Sequence, residues 1–194
     1  MLCASILDAN SIETNWGKDM KSLIPALGVF LVTYICKYPD QAAQKLPSIQ
    51  QIIVHLLNKE IRCETVALKI CSAVFERLGD APLSDNGTFL NAVLIGIFTS
   101  LHFYRNNTRA KIIPASIMKA IHIFFATFMV CHGSQALIDS TNAVQQGILF
   151  MVLNSESQAL KHVTSPSRDR KYVLVAYARL MAEFATSFQQ EQLQ

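Results

Sequence analysis

The stretch PASIMKAIHIFFATFMVC, residues 114–131, decides the fold of this chain. It opens on a proline, which favours the first turn of a helix, and its apolar side chains recur at helical spacing. Its only formally charged side chain is Lys119. A helix that is apolar on nearly all sides must be covered either by lipid or by neighbouring helices. The rest of the sequence has to distinguish these two environments.

The composition of the whole chain presents the same choice. Apolar residues make up 51% of the 194 residues and charged residues only 16%, whereas a soluble domain usually has about 25% charged residues. The mean hydropathy is +0.28. Such a chain has too much apolar surface to stay disordered. Its formal charge of +3 is too small to indicate a nucleic-acid-binding protein.

Two segments without formal charge, residues 89–104 and 120–138, are the candidates for membrane spans. The first is shorter than the roughly 20 residues that a span needs. The second is interrupted at His132-Gly133-Ser134, which indicates two helices rather than one. Neither is followed by an interfacial tryptophan or a cluster of basic residues. We therefore expect the buried helices of a soluble fold, and a small helical membrane protein stays as the alternative from a different class.

The cysteines and the N-terminus indicate a reducing compartment. There is an odd number of cysteines, without a CxxC pair or zinc-ligand spacing, at positions Cys3, Cys36, Cys63, Cys71 and Cys131. Residues 1–18 have no basic patch ahead of an apolar run, so neither a signal peptide nor a transit peptide is expected.

No motif for catalysis or nucleotide binding is present, because the chain lacks a P-loop, GxGxxG, HExxH, GxSxG and an EF-hand loop. His122, on an apolar helix, is expected to be a core residue. The neighbours Cys131 and His132 point about 100° apart on a helix, which argues against a nucleophile and its base. We expect no enzyme activity, no metal or other cofactor and no small-molecule substrate, and a cysteine-dependent enzyme stays as a further alternative.

The periodicity is helical almost throughout the chain, and β-branched runs such as Ile52-Ile53-Val54 lie inside longer helical patterns. Helices are predicted over residues 24–38, 41–58, 60–78, 88–104, 114–131 and 141–153, and from about residue 168 onward. Residues 105–111 are predicted to be a polar, basic linker.

These helices are predicted to form antiparallel pairs. The pairs span about residues 18–58, 60–104 and 114–162, followed by a partial repeat at 168–187, and their starts recur at roughly 40 to 54 residues, close to the spacing of HEAT-type repeats. In such a stack each pair buries its faces against the pairs before and after it. We therefore predict an all-α fold, a HEAT-like α-solenoid in which residues 1–194 form a single helical-repeat segment.

Basic residues in loops and at helix ends are the candidates for partner binding. They are Arg105, Arg109 and Lys111 in one region and Arg168, Arg170 and Lys171 in another, with Lys161 and His162 nearby. They form either a solvated surface that keeps an apolar protein in solution or a contact with acidic patches on a protein partner. Aromatic side chains for base stacking are missing beside them, so no nucleic-acid partner is expected.

Three runs of sequence carry a resemblance to a known family. They are IMKAIHIFFATF at residues 117–128, CHGSQAL at 131–137 and QGILFMVL at 146–153. The same order of features extends upstream through residues 42–47 and downstream through residues 171–183. These features resemble the C-terminal arch of the exportin-two family, the β-karyopherins that re-export importin-α and are also known as cellular-apoptosis-susceptibility and chromosome-segregation proteins. The loops at 105–114 and 155–166 look longer than those of the family.

The resemblance implies a non-enzymatic nuclear transport receptor that shuttles between nucleus and cytoplasm. Family members bind importin-α together with Ran-GTP in the nucleus and release both in the cytoplasm after GTP hydrolysis. The resemblance covers only a small part of a full-length member, and the arch that makes the major Ran contacts is expected to be missing. In this superfamily the second helix of each pair lines the concave face, here residues 41–58, 88–104 and 141–153. A HEAT-repeat scaffold of another importin or exportin is the alternative.

Overall fold

A computed structural model describes residues 23–57, 63–85, 87–107, 113–147, 149 and 168–191 of the chain. These residues form eight α-helices and one short 3₁₀-helix, Ala81–Leu83, and contain no β-strand. In chain order, α1 to α8 are Ile24–Lys37, Pro39–Gln44, Leu46–Leu57, Glu64–Arg77, Thr88–Asn107, Ala115–His132, Ser134–Val144 and Arg168–Glu191. The prediction of an all-α fold is confirmed.

The helices are arranged in two layers. Helices α1, α4, α6 and α8 pack side by side in that order, and we call them layer A. Helices α3, α5 and α7 pack side by side in the same way, and we call them layer B. The layers are joined where α3 packs on α4 and where α6 packs on α7. Layer A helices thus alternate with layer B helices along the chain, with the short α2 between α1 and α3, as in a HEAT-like solenoid.

The predicted helix over residues 41–58 is wrong in its continuity. The chain forms two helices there, α2 and α3, which are separated at Lys45. Pro47 lies in the first turn of α3. A proline inside a longer helix would remove a backbone hydrogen bond and collide with the carbonyl four residues earlier, whereas a proline in the first turn does neither. The chain therefore starts a new helix immediately before this residue.

The predicted helix over residues 141–153 is wrong in its start and is interrupted at Gln145, and residues 150–153 lie outside the described residues. Helix α7 begins at Ser134, directly after Gly133, and ends at Val144, where Gln145 adopts an extended conformation. Gly133 has a φ of 92°, which residues with a side chain rarely adopt. This single glycine ends α6 and lets the next helix begin at once. Helix α5 also differs from its prediction, since it continues to Asn107 and includes Arg105.

The core between the layers centres on Phe75 of α4. Its ring centroid lies 5.8 Å from that of Phe89 on α5, and 5.8 Å and 5.1 Å from those of Phe124 and Phe128 on α6. Phe75, Phe124 and Phe128 are completely buried. Aromatic rings at these separations gain stabilisation beyond the burial of their area. One cluster of rings therefore holds α4, α5 and α6 together, across both layers.

A buried hydrogen bond also connects α4 to α5. The Ser100 hydroxyl donates to Oε1 of Glu64 over 3.0 Å, and both side chains are buried. Glu64 is the first residue of α4. A carboxylate is favourable there because the first backbone N–H groups of a helix have no partner within it and carry a partial positive charge. The pair fixes the position of α4 along α5.

Helix α6 is the one described helix that is long and apolar enough to cross a membrane by length and composition. In the structure 61% of it is buried inside the protein, with α4 and α8 on its two sides in layer A and α7 against it in layer B. A core helix of a soluble protein passes the same test, so the composition of α6 is weak evidence for a span. Coverage by three helices accounts for its apolar sequence.

Glycine allows α5 to approach α3 closely at Gly96. A Cβ atom at this position would lie 2.9 Å from the Cβ atom of Leu57. Because Leu57 Cβ is fixed to its backbone, rotation of the leucine side chain cannot relieve that contact. Gly28 has the same role between α1 and α4, since a Cβ there would collide with Cγ1 of Val66.

We expect Gly96→Ala to destabilise the protein by about 1–3 kcal/mol, the usual cost of overpacking. The direction of this change tests the close approach. Alanine has a better helix propensity than glycine by about 1 kcal/mol, so the substitution would stabilise a helix with open space at this position. Thr99→Ala, on the exposed face of the same helix, is the control and should change the free energy of unfolding by less than about 0.5 kcal/mol. Urea unfolding followed by circular dichroism measures both, and an unchanged midpoint for Gly96→Ala would contradict the close approach.

Candidate protein-binding surfaces

The outward face of layer B is polar but almost uncharged. Arg105 and Asp139 are the only formally charged side chains of α3, α5 and α7. Val54 and Ile95 are apolar and exposed on this face, by 43% and 54% of their surface. The same three helices also carry exposed polar side chains, among them Gln51, Thr99, His102, Gln135 and Asn142. The face therefore offers apolar contacts and hydrogen bonds to a partner rather than strong ionic attraction.

The structure describes four of the eight basic residues that the sequence indicates for partner binding. Arg105 is exposed in the last turn of α5, and Arg170 and Lys171 are exposed in the first turn of α8, which begins at Arg168. The remaining four, Arg109, Lys111, Lys161 and His162, lie outside the described residues. Arg105 belongs to layer B and the α8 residues to layer A, so the described basic residues lie on different layers.

Helix dipoles distinguish these two groups of basic residues. Arg105 stands at the C-terminal end of α5, where the partial negative charge of the helix favours a cation, so the fold itself explains its position. Arg170 and Lys171 stand at the N-terminal end of α8, where a cation is slightly unfavourable, and Asp169 is the acidic residue of that turn. Because Arg170 and Lys171 do not stabilise the helix end at which they lie, they are better candidates than Arg105 for contact with a partner.

A groove on the outer face of layer A is a feature that sequence reasoning missed. It has a volume of about 440 Å³ and is lined by side chains of α1, α4, α6 and α8. Apolar groups line much of it, among them Val29, Val32, Val66 and Ile123. A second depression of about 320 Å³ between α4 and α6 shares four of these lining residues, Lys69, Ser72, Ile123 and Asp169. We call the two together the layer A groove.

Charged side chains lie at defined positions along the layer A groove. Towards the C-terminal end of α4, Glu76 Oε1 accepts a hydrogen bond from the Tyr172 hydroxyl of α8 over 3.3 Å and lies 3.8 Å from Nε of Arg77. Towards the N-terminal ends of α4 and α6, Lys69 and Lys119 are exposed, and neither ammonium group forms an ion pair within the described part of the chain. The lysine end of the groove is therefore the end with unpaired positive charge.

His122 is a core residue, as the sequence predicts. Its side chain is buried in α6, and its Nδ1 lies 3.1 Å from the Tyr177 hydroxyl of α8. Burial lowers the pKa of His122 from 6.5 to about 4 and raises the pKa of Tyr177 to about 12. At neutral pH both side chains are therefore uncharged. The pair is a polar contact within the packing of α6 against α8.

Cys131 and His132 do not form a nucleophile and its base. The His132 ring turns towards α4, with Nδ1 3.3 Å from a carboxylate oxygen of Asp80 and Nε2 3.3 Å from the backbone oxygen of Phe75. Burial raises the pKa of Cys131, an effect that the nearby Arg179 partly opposes, and burial also raises the pKa of Cys71. A raised pKa leaves less of the reactive thiolate. Among the described residues no group of three or more His, Cys, Asp or Glu side chains is placed to hold a metal ion.

The amino-acid sequence of the chain matches the model of a known protein family. Residues 6–194 match the family model described as "CAS/CSE protein, C-terminus". Searches among the curated proteins and among the solved structures found no match. The matched range includes every helix from α1 to α8.

We expect the free energy of unfolding to fall as the pH drops from about 6.5 to 4. The unfolded chain binds a proton on His122 in this window and the folded state does not, so the unfolded state binds more protons and lower pH favours it. The lower pKa of His122 in the folded state corresponds to a decrease in the free energy of unfolding of up to about 3 kcal/mol near pH 4. His122→Gln removes the titrating group, and its stability should depend less on pH over the same window. Urea unfolding at stepped pH measures this, and an identical pH dependence of the two proteins would contradict the buried neutral imidazole.

Proposed function

Because this chain belongs to the CAS/CSE family of karyopherin-type nuclear transport receptors, we propose that it forms part of a receptor that binds importin-α together with Ran-GTP and returns importin-α to the cytoplasm. The observation that carries this proposal is the family match over residues 6–194. Proteins of this family generally shuttle between nucleus and cytoplasm. That distribution is the one that a re-export receptor needs.

The described part of the structure is compatible with a receptor that works by binding. Transport of this kind requires an extended surface and no reactive group. The two layers supply such a surface on each side of the molecule. His122 and Cys71 are buried packing residues, and the raised pKa of the exposed Cys131 leaves less of its reactive thiolate.

We propose the outward face of layer B as the contact for importin-α. The resemblance to exportin-two implies that the second helix of each pair faces the cargo, and α3, α5 and α7 are those helices. The centres of protein interfaces are apolar and poor in charge, with polar residues around them. Val54 and Ile95 are exposed apolar residues on helices whose other exposed side chains are mostly polar and uncharged, which fits this composition. Arg170 and Lys171 of α8 would then affect the rate of association and its salt dependence more than the affinity.

The test is binding of importin-α to the purified full-length protein, with Ran loaded either with a non-hydrolysable GTP analogue or with GDP. We expect binding that is stronger with the GTP form. Ile95→Glu should weaken it by about tenfold or more, because a carboxylate would be buried at the centre of the contact. Met181→Glu is the matched control, since Met181 is an apolar residue exposed on α8 in layer A, and it should bind as the unmodified chain does.

Two results would contradict these proposals separately. Absence of importin-α binding with both forms of Ran would overturn the re-export role, and binding of a different cargo in its place would favour another karyopherin. Equal weakening by Ile95→Glu and Met181→Glu would leave the role intact but exclude layer B as the contact. Circular dichroism of each variant would verify that the helices are retained.

A further inference from the structure

We propose that the layer A groove binds an amphipathic helix of a partner protein, with acidic residues of that helix beside Lys69 and Lys119. The groove lies on the outer face of layer A and the proposed importin-α contact lies on layer B. The inference therefore goes beyond the re-export role and does not depend on it.

The dimensions of the groove fit a short helix. Its lining residues on α1 run from Pro25 to Cys36, a distance of about 16 Å at the rise of an α-helix, which corresponds to about three turns. A partner helix presents apolar side chains every three or four residues along one face. Three turns bring two or three such side chains into the groove.

The lining of the groove is suited to apolar side chains. Val29 of α1 is 69% exposed, and Val66 of α4 and Ile123 of α6 line the same space. Exposed apolar residues are ordinary when they occur singly, whereas several in one concave surface indicate a binding site. Ser72 and Ala73 of α4 also line the groove, and their small side chains leave room between the helices.

The charges specify which helix the groove accepts. Lys69 and Lys119 lie in the second turns of α4 and α6, and both ammonium groups lack an ion pair within the described residues. Asp169 of α8 is the one carboxylate that lines this end, so one positive charge remains. At the other end, Glu76 already accepts a hydrogen bond from Tyr172. Carboxylates of a partner are therefore favoured at the lysine end.

The groove is formed before a partner arrives. The Tyr172 hydroxyl connects α8 to Glu76 of α4, and the neighbouring contact between Tyr177 and His122 connects α8 to α6. These two contacts hold the first turns of α8 beside the groove. A binding surface that is already ordered loses less conformational entropy on association than one that must first assemble.

The experiment compares two designed peptides by fluorescence anisotropy with the whole chain. Both have about 15 residues and leucines at every third or fourth position. One has glutamates in its first turn and the other has lysines there. We expect the acidic peptide to bind about fivefold more tightly, as two exposed ion pairs would give. The double variant Lys69→Glu/Lys119→Glu should reverse this preference. No binding of either peptide to the unmodified chain, or an unchanged preference in the double variant, would overturn the proposal.

A second pair of variants tests the apolar part of the groove. Val29→Asp should weaken binding of the acidic peptide by about tenfold or more, because it places a carboxylate against the apolar face of the peptide. Val175→Asp is the matched control, since it makes the same change at a valine of α8 that is 47% exposed and does not line the groove, and it should have no effect. Equal effects of the two changes would overturn the proposal. Sedimentation should also show a monomer, because a dimer that Val29→Asp dissociates would mean that a second copy of this chain occupies the groove.

Discussion

The contact on which the rest of the structure depends is the packing of aromatic rings around Phe75. Rings from α5 and α6 lie within 6 Å of it, and the His132 ring at the end of α6 lies 5.6 Å away. Removing a buried phenylalanine typically costs about 3–5 kcal/mol, a large fraction of the total stability of a domain. Because α6 supplies most of these rings and is covered on three sides, its sequence is apolar almost throughout. The feature that first suggests a membrane helix is thus a requirement of packing.

Because these rings fill the interior, we expect partners to bind at the two outward faces. The two faces differ in charge. Layer B carries Val54 and Ile95 among uncharged polar residues, whereas layer A carries most of the charged side chains that the structure describes. A partner on layer B would gain most of its affinity from apolar burial and hydrogen bonds, with little dependence on salt. A partner in the layer A groove would be oriented by charge. The chain therefore presents two surfaces of different chemistry.

Much of this architecture follows from local sequence, and the exceptions have physical causes. Helical periodicity predicts the class of fold and most of the helix positions, because burial of one face acts on residues close in sequence. It misses the break at Lys45, where Pro47 acts within a continuous apolar pattern, and it misses the immediate start of α7, which depends on the φ angle of Gly133. The layer A groove could not be predicted in this way. Its residues come from four helices far apart in the chain, and only the seven-residue spacing of Lys69 and Glu76 indicates that they share a face.

The joint at Gly133 has a mechanical consequence. Helices α6 and α7 belong to different layers and are connected through this one residue. The connection is therefore too short to let one helix move far without the other. A tilt of α7 must be taken up either by rotation at Gly133 or by movement of α6. Since α6 lines the groove on the far side of the molecule, the part of such a tilt that rotation at Gly133 does not absorb displaces a wall of that groove. This one-residue joint mechanically connects the two faces of the molecule.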